Sequence, residues 1–312
     1  MSVLKRRVPI AGAVVVVTGG GSGIGRLMAK GAAARGAKAV LVWDLSQDAA
    51  RAVAEEIGQQ ARAVCVDVTS NESVAAAAEQ ALEEFGRVDI LINNAGIVTG
   101  KDFLSVTEAD VERTFAVNTT SHYRTVKAFL PGMLERDRGA IVTIASAAGL
   151  VGVARQADYS PSKFGAVGFA QSLRAELRHR GSNVHTLLYC PYYISTGMFE
   201  GVKTKFRLVL PIITPDTAAR HVLDALEAGC QMKVDPPFVR AAQVAQALPV
   251  PVLDKLLDFF GINQTMDDFV GRSSGVDAEP RGADSEPRGA DSEPRGADAE
   301  LAERAVQSRE GK

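Results

Sequence analysis

Thr18-Gly19-Gly20-Gly21-Ser22-Gly23-Ile24-Gly25 decides the fold through what stands on either side of it. Residues 13–17 are a short β-branched run, and residues 24–35 read as an alanine-rich helix ended at Gly36. Strand, glycine loop and helix together place a dinucleotide pyrophosphate at the positive end of the helix, where missing side chains let the backbone approach the phosphates. Gly19, Gly23 and Gly25 are spaced G-x-x-x-G-x-G rather than G-x-G-x-x-G. Glycine turns also arise for steric reasons alone, so the rest of the chain must decide.

The same alternation continues. Residues 39–43 precede a helix from Gln47, 63–66 precede one from Asn71, 90–92 precede a loop and helices, and 140–145 precede a helix over 159–180. Residues 184–188 supply a sixth strand, and 232–239 a weaker seventh. Continuous apolar strands between helices predict an α/β fold, a doubly wound, Rossmann-type parallel sheet of about seven strands covered on both faces. The apolar segment 192–213 follows the carboxyl end of strand six, where such folds build substrate lids, and a helix over 215–228 comes next. The organisation read from the sequence is a catalytic domain over 1–240, an amphipathic helical extension over 241–272 broken at Pro249-Val250-Pro251, and a tail over 273–312. Glu-Pro-Arg-Gly-Ala-Asp occurs three times in that tail, from Glu279, Glu286 and Glu293. Proline and glycine in each copy exclude a coiled coil and predict disorder, with a short helix near 301–306.

Composition narrows the partners. A chain of 312 residues, 46% hydrophobic and 23% charged with a net charge of -2, has a globular core and lacks the basic excess of a nucleic-acid binder. Cys65, Cys190 and Cys230 are scattered and odd in number, which fits a reducing cytoplasm. His122, His179, His185 and His221 have no metal-ligand spacing, so no metal is expected. Lys5-Arg6-Arg7 before an apolar run imitates a secretory leader, yet cleavage there would remove the first strand, and the run is shorter than the roughly 20 residues of a membrane span.

Two further features carry chemistry. Asp44 follows the second strand, where a carboxylate accepts the adenosine ribose hydroxyls and repels a 2′-phosphate; no base occupies Ser22 or follows Asp44, so NAD is favoured over NADP. Tyr159-Ser160-Pro161-Ser162-Lys163 puts a phenol and an ammonium on one helical face. A neighbouring cation is expected to lower a phenol pKa from about 10 toward a useful base.

With these residues in hand, the chain resembles the classical short-chain dehydrogenase/reductase family over about residues 10–240, adding Asn93-Asn94-Ala95-Gly96, Val117-Asn118-Thr119 and Ser146 in order. The resemblance implies roles residue by residue. Tyr159 is the general acid/base, Lys163 lowers its pKa and holds the nicotinamide ribose, Ser146 hydrogen-bonds the substrate oxygen, and Asn118 positions a proton-relay water. Gly19, Ser22, Gly23, Ile24, Gly25, Asp44, Asp67, Val68, Asn94, Pro191 and Thr196 complete the NAD site, with Asp67 at the adenine and Thr196 at the carboxamide. The family's Pro-Gly after strand six is replaced here by Pro191-Tyr192-Tyr193.

A narrower resemblance rests on residues 190–199, Leu210-Pro211 and 266–272, and points to the branch of retinol and 17β-hydroxysteroid dehydrogenases. It implies a hydrophobic alcohol or ketone substrate and a place in lipid metabolism. Phe164, Val167, Phe169 and Leu173 give the helix of Tyr159 apolar surface beyond one sheet face, and by resemblance predict a homodimer or homotetramer. The helices of 241–260 are read as packing on the body, with peripheral membrane contact as the competing expectation. A non-catalytic dinucleotide-binding regulator is the alternative function, and the joint presence of Asn118, Ser146, Tyr159 and Lys163 argues against it.

Overall fold

The computed structural model describes residues 7–271; the expected tail, its repeats, Arg272 and the first two bases of the leader-like start lie outside the described residues. β1 (Val14–Thr18), β2 (Ala39–Asp44), β3 (Ala61–Cys65), β4 (Ile90–Asn93), β5 (Ala140–Ile144), β6 (His185–Pro191) and β7 (Met232–Asp235) form one parallel sheet. Its order is β3-β2-β1-β4-β5-β6-β7. The chain reverses direction across the sheet between β1 and β4, and the crevice above such a reversal is where these folds bind ligands.

The register explains why the central strands read as unbroken apolar runs. Val15 pairs with Val40 and with Ile90, and Ile90 pairs with Ala140. Val15, Val17, Val40, Val42, Ile90 and Ile92 face a core with α1 (Gly23–Ala34), α2 (Gln47–Ile57) and α7 (Pro215–Glu227). Val14, Val16, Leu41, Trp43 and Leu91 face the opposite core with α3 (Asn71–Phe85), α5 (Ser121–Glu135) and α6 (Tyr159–His179). Two apolar faces per strand leave no position for the polar alternation of a half-exposed sheet.

Several boundaries differ from the sequence reading. β6 runs through Pro191 instead of ending at 188, since Tyr192 N–H bonds to Asp235 O at 2.7 Å and keeps the chain extended. β7 stops at Asp235, where Pro236 removes the next ladder donor. Two helices do meet at Pro249-Val250-Pro251 as expected, and Pro249 and Pro251 open the second, α9 (Val250–Phe260), because the first helical turn needs no N–H donors. α8 (Arg240–Ala245) precedes it. Of the four apolar residues expected to form an unpaired face on α6, Val167 and Phe169 are buried within the chain, and only Phe164 is well exposed.

One local irregularity was not legible beforehand. α4 (Glu108–Phe115) opens on a capping box at Thr107 and Asp110, then passes through a π-helical turn, Ala116–Thr120, before α5 begins. That wider turn turns Asn118 inward, and such turns recur at functional sites.

Candidate active site

The glycine loop is held by contact, not by flexibility. A side chain on Gly25 would place its Cβ 2.1 Å from Gly19 O, and one on Gly19, at φ 60°, would sit 2.9 Å from the Ala95 Cα. The Asn94 amide donates to Thr18 O at 3.0 Å and Gly19 O at 3.1 Å, tying β4 to the loop. Gly23 faces Thr196, whose methyl lies 3.8 Å from the position of an added Cβ. The turn after β6 therefore closes over the start of α1, with Pro191 at the end of the strand beneath it. Ser22 and Ile24 flank Gly23 at the head of α1.

Asp44 does more than the sequence suggested. Its Oδ2 accepts Gly21 N–H at 2.9 Å and its Oδ1 accepts Ser46 N–H at 3.0 Å, so the carboxylate shapes the loop as well as standing at its edge. Asp67 likewise serves its own turn, with Oδ1 accepting the Thr69 N–H and hydroxyl at 2.8 and 2.7 Å, beside buried Val68. A loop with no room for a Cβ at Gly19 or Gly25, a helix start and a carboxylate at the edge of β2 fit a dinucleotide with a free ribose diol.

Tyr159 and Lys163 share one face of α6 and are both buried. The Lys163 ammonium donates to Ile144 O at 3.1 Å and lies 5.7 Å from the Tyr159 ring centre. The Ser146 hydroxyl stands near enough to the Tyr159 phenol to favour its ionised form, and its Oγ accepts Ala148 N–H at 3.1 Å, capping a turn. The expectation for the phenol is corrected: burial pushes its pKa above the ordinary value, and the neighbouring Ser146 hydroxyl offsets that only in part. The same burial brings Lys163 down to about 8. Desolvation outweighs the cation here because the ammonium sits by the ring and an Ile144 carbonyl.

Asn118, fully buried, spends both amide protons, on Ile97 O at 2.9 Å and Ser162 Oγ at 3.0 Å, while its Oδ1 accepts Ile97 N–H at 2.8 Å. Only the remaining acceptor capacity of Oδ1 is left for a water. Gly96 makes room at this junction: an added Cβ would meet Asn118 Oδ1 at 3.3 Å and Lys163 Nζ at 3.4 Å. The expected tetrad of Asn118, Ser146, Tyr159 and Lys163 is thus brought to one place.

Sequence reading missed the residues that hold it. Ser162 donates to Tyr159 O at 2.7 Å and receives Asn118. Asp158, fully buried, accepts the Thr99 and Thr114 hydroxyls, both at 2.8 Å, fixing the start of α6. The thiol of Cys190 is pushed up to about 12 by burial, with the Lys163 ammonium opposing. Ordinary serine, threonine and cysteine types in sequence give no sign of such convergence.

From Ser146 and Tyr159 an apolar cavity of about 160 Å³ extends between the segment after β6 and the carboxyl-terminal helices. Phe199 and Leu210 line one side, and Ala242, Leu253, Leu257 and Phe260 the other. A clasp closes the base of the lid, with Ser195 N–H bonded to Ile213 O at 3.0 Å and Ile213 N–H to Tyr193 O at 2.9 Å. The site can therefore offer a proton donor and acceptor at one end of an otherwise greasy space.

A family model described as short chain dehydrogenase matches residues 13–206. Short-chain dehydrogenase/reductase family 16C member 6 of Bos taurus is 38% identical over 283 residues, covering 89% of each chain. Epidermal retinol dehydrogenase 2 of Mus musculus is 39% identical, covering 86% of this chain and 88% of its own. A short chain dehydrogenase/reductase from Burkholderia phymatum, solved in complex with NAD, superposes with a TM-score of 0.71 at 26% identity, covering 78% of this chain and 96% of that one.

Proposed function

We propose that this chain, which belongs to the classical short-chain dehydrogenase/reductase family in the branch of the retinol and steroid dehydrogenases, interconverts a lipophilic alcohol and its carbonyl with NAD. The oxidoreductase class follows from the family. The finer reading rests on one observation, the apolar cavity that ends at Ser146 and Tyr159.

The nicotinamide, when bound, supplies the hydride acceptor or donor. The protein's own groups handle the oxygen. Ser146 hydrogen-bonds the substrate oxygen, and Tyr159 takes the hydroxyl proton during oxidation and returns it during reduction. Lys163 stabilises the phenolate so formed, and Asn118, locked by Ile97 and Ser162, fixes the π-turn behind them. Gly19, Gly23 and Gly25 cradle the cofactor, and Asp44 favours a free ribose diol over a 2′-phosphate.

The outer face of α8 and α9 bears Val244, 75% exposed, Val250, 67%, and Phe259, 60%. We read it as a peripheral contact with a lipid surface, next to the cavity those helices wall. No helix among the described residues is long and apolar enough to cross a membrane. Phe164 on α6 is the exposed apolar residue we assign to the homodimer or homotetramer face.

Absorbance at the reduced-nicotinamide band tests the reaction, with NAD and NADP, across retinoid, steroid, long-chain and small polar alcohols. Wild type should turn over the lipophilic ones with NAD, and Tyr159→Phe should lose about 10²–10⁴-fold in kcat. Equal turnover by the two proteins sinks the mechanism, and turnover of polar alcohols alone sinks the substrate class.

A further inference from the structure

Tyr193 follows Tyr192, the residue that replaces the family's glycine after Pro191, and its hydroxyl lies in a directed chain of buried hydrogen bonds. Gln156 Nε2 donates to the Tyr193 hydroxyl at 3.1 Å, and that hydroxyl meets Thr265 Oγ1 at 2.8 Å. Thr265 Oγ1 donates its single proton to Ile262 O at 2.7 Å. The hydroxyl proton of Thr265 being spent, Tyr193 must be the donor to Thr265. The direction is then fixed: Gln156 to Tyr193, Tyr193 to Thr265, Thr265 to Ile262. At the near end, Ser160 donates to Gln156 Oε1 at 3.3 Å, beside the catalytic Tyr159.

This chain joins three segments that are far apart in sequence. Gln156 precedes α6, Tyr193 follows β6, and Ile262 and Thr265 follow α9. All three polar side chains are nearly withdrawn from water, at 1% exposed for Gln156, 8% for Tyr193 and 2% for Thr265. Gln156, Tyr193 and Ile262 also line the cavity. Lys203 N–H reaches Thr265 O at 3.3 Å, so the lid is fastened to the same point. The other residues of α9 in the cavity wall are apolar and give no direction of their own.

We propose that Tyr193 is a specificity-determining positioning residue: by donating to Thr265 it latches the carboxyl-terminal wall over the substrate cavity and sets the length of alcohol that fits. The inference rests on the reading of that cavity as the alcohol site. Tyr193 is not a second acid in the reaction, because its proton is committed to Thr265. Loosening the latch leaves Tyr159, Ser146 and Lys163 in place and frees the wall built by α9 and the segment after it, so the effect should grow with the length of substrate that reaches that wall.

Tyr193→Phe keeps the ring and removes the donor; Thr265→Val keeps the shape and removes the acceptor. With NAD and a series of primary alcohols of increasing chain length, each variant should lower the ratio of kcat/KM for the longest to the shortest substrate about tenfold. The loss should appear mainly in KM. The double variant should be no worse than either single one, since both cut the same bond, and Thr265→Ser should restore the ratio. Amide hydrogen exchange should quicken in 250–266 in both single variants. A length-independent fall in kcat, or strictly additive losses, would overturn the proposal by making these residues general supports. Wild type with no alcohol turnover on either cofactor would instead refute the functional reading, and exchange in 250–266 unaltered by both variants would overturn the latch itself.

Discussion

Lys163 sets its ammonium 5.7 Å from the centre of the Tyr159 ring and donates to Ile144 O at 3.1 Å, with both side chains buried. Burial works on the two in opposite senses, raising the phenol and bringing the ammonium down to about 8. The proton lost near pH 8 is therefore the Lys163 ammonium's. Lys163 steadies a phenolate only while it is charged, so log kcat/KM should fall with unit slope above about pH 8 in both directions. Initial rates between pH 6 and 10 in both directions check this. A flat oxidation profile from pH 6 to 9 would contradict the assignment.

Asp44 braces Gly21 and Ser46 as well as facing the expected ribose. Asp44→Asn keeps the size, removes the charge and weakens the acceptor for two backbone donors. NADP should gain on NAD by about tenfold or more, the loss of one repulsion at close range, and stability should fall by roughly 1–2 kcal/mol. Dissociation constants for both cofactors, read by protein fluorescence, and a urea midpoint measure the two effects separately. An unchanged cofactor ratio with lowered stability would leave Asp44 only its loop-bracing role.

Gly25→Ala forces a Cβ to 2.1 Å from Gly19 O and 2.5 Å from Asn94 Nδ2. Neither can retreat freely, because Asn94 is bonded to both Thr18 O and Gly19 O. Overpacking of this kind costs about 1–3 kcal/mol. It also displaces the loop, so the melting temperature should drop and NAD affinity should fall at least about tenfold. Gly168→Ala is the control, with open space around its Cβ and a gain in helix propensity. If Gly25→Ala bound NAD like wild type, the cradle would be misassigned.

The strand–helix alternation could be read because each central strand contributes side chains to two cores, which forces continuous apolar runs such as residues 14–17. The tetrad could be read because Asn118, Ser146, Tyr159 and Lys163 stand in the order and spacing of the family pattern. What escaped were features with no linear period. The π-turn around Asn118 depends on packing against Ile97 and Ser162 from elsewhere in the chain. The charge state of Tyr159 escaped as well, since spacing shows that Lys163 is near but not that burial outweighs it. Asp158 gave no signal in the sequence, and its role shows only in the fold, where its carboxylate is turned inward to Thr99 and Thr114. The wall of the cavity was legible only as amphipathic helices, because three segments meet there solely through folding.

His122 on α5 is buried with neither ring nitrogen hydrogen-bonded, packed 5.6 Å from the Phe169 ring. Burial holds its pKa down to about 3, with the Lys163 charge adding to the effect. The unfolded chain takes up a proton below about 6.5, while the folded chain does not do so until near pH 3. Between those limits the unfolded state binds more protons, so acidification favours unfolding. At pH 5 this one group should cost about 2 kcal/mol relative to pH 7. His122→Leu, of similar volume, removes the titration and satisfies the apolar surroundings. Its denaturant midpoint should match or exceed that of wild type at pH 7 and fall less on going to pH 5, by that amount. Parallel losses in the two proteins would show that other groups govern the acid limb.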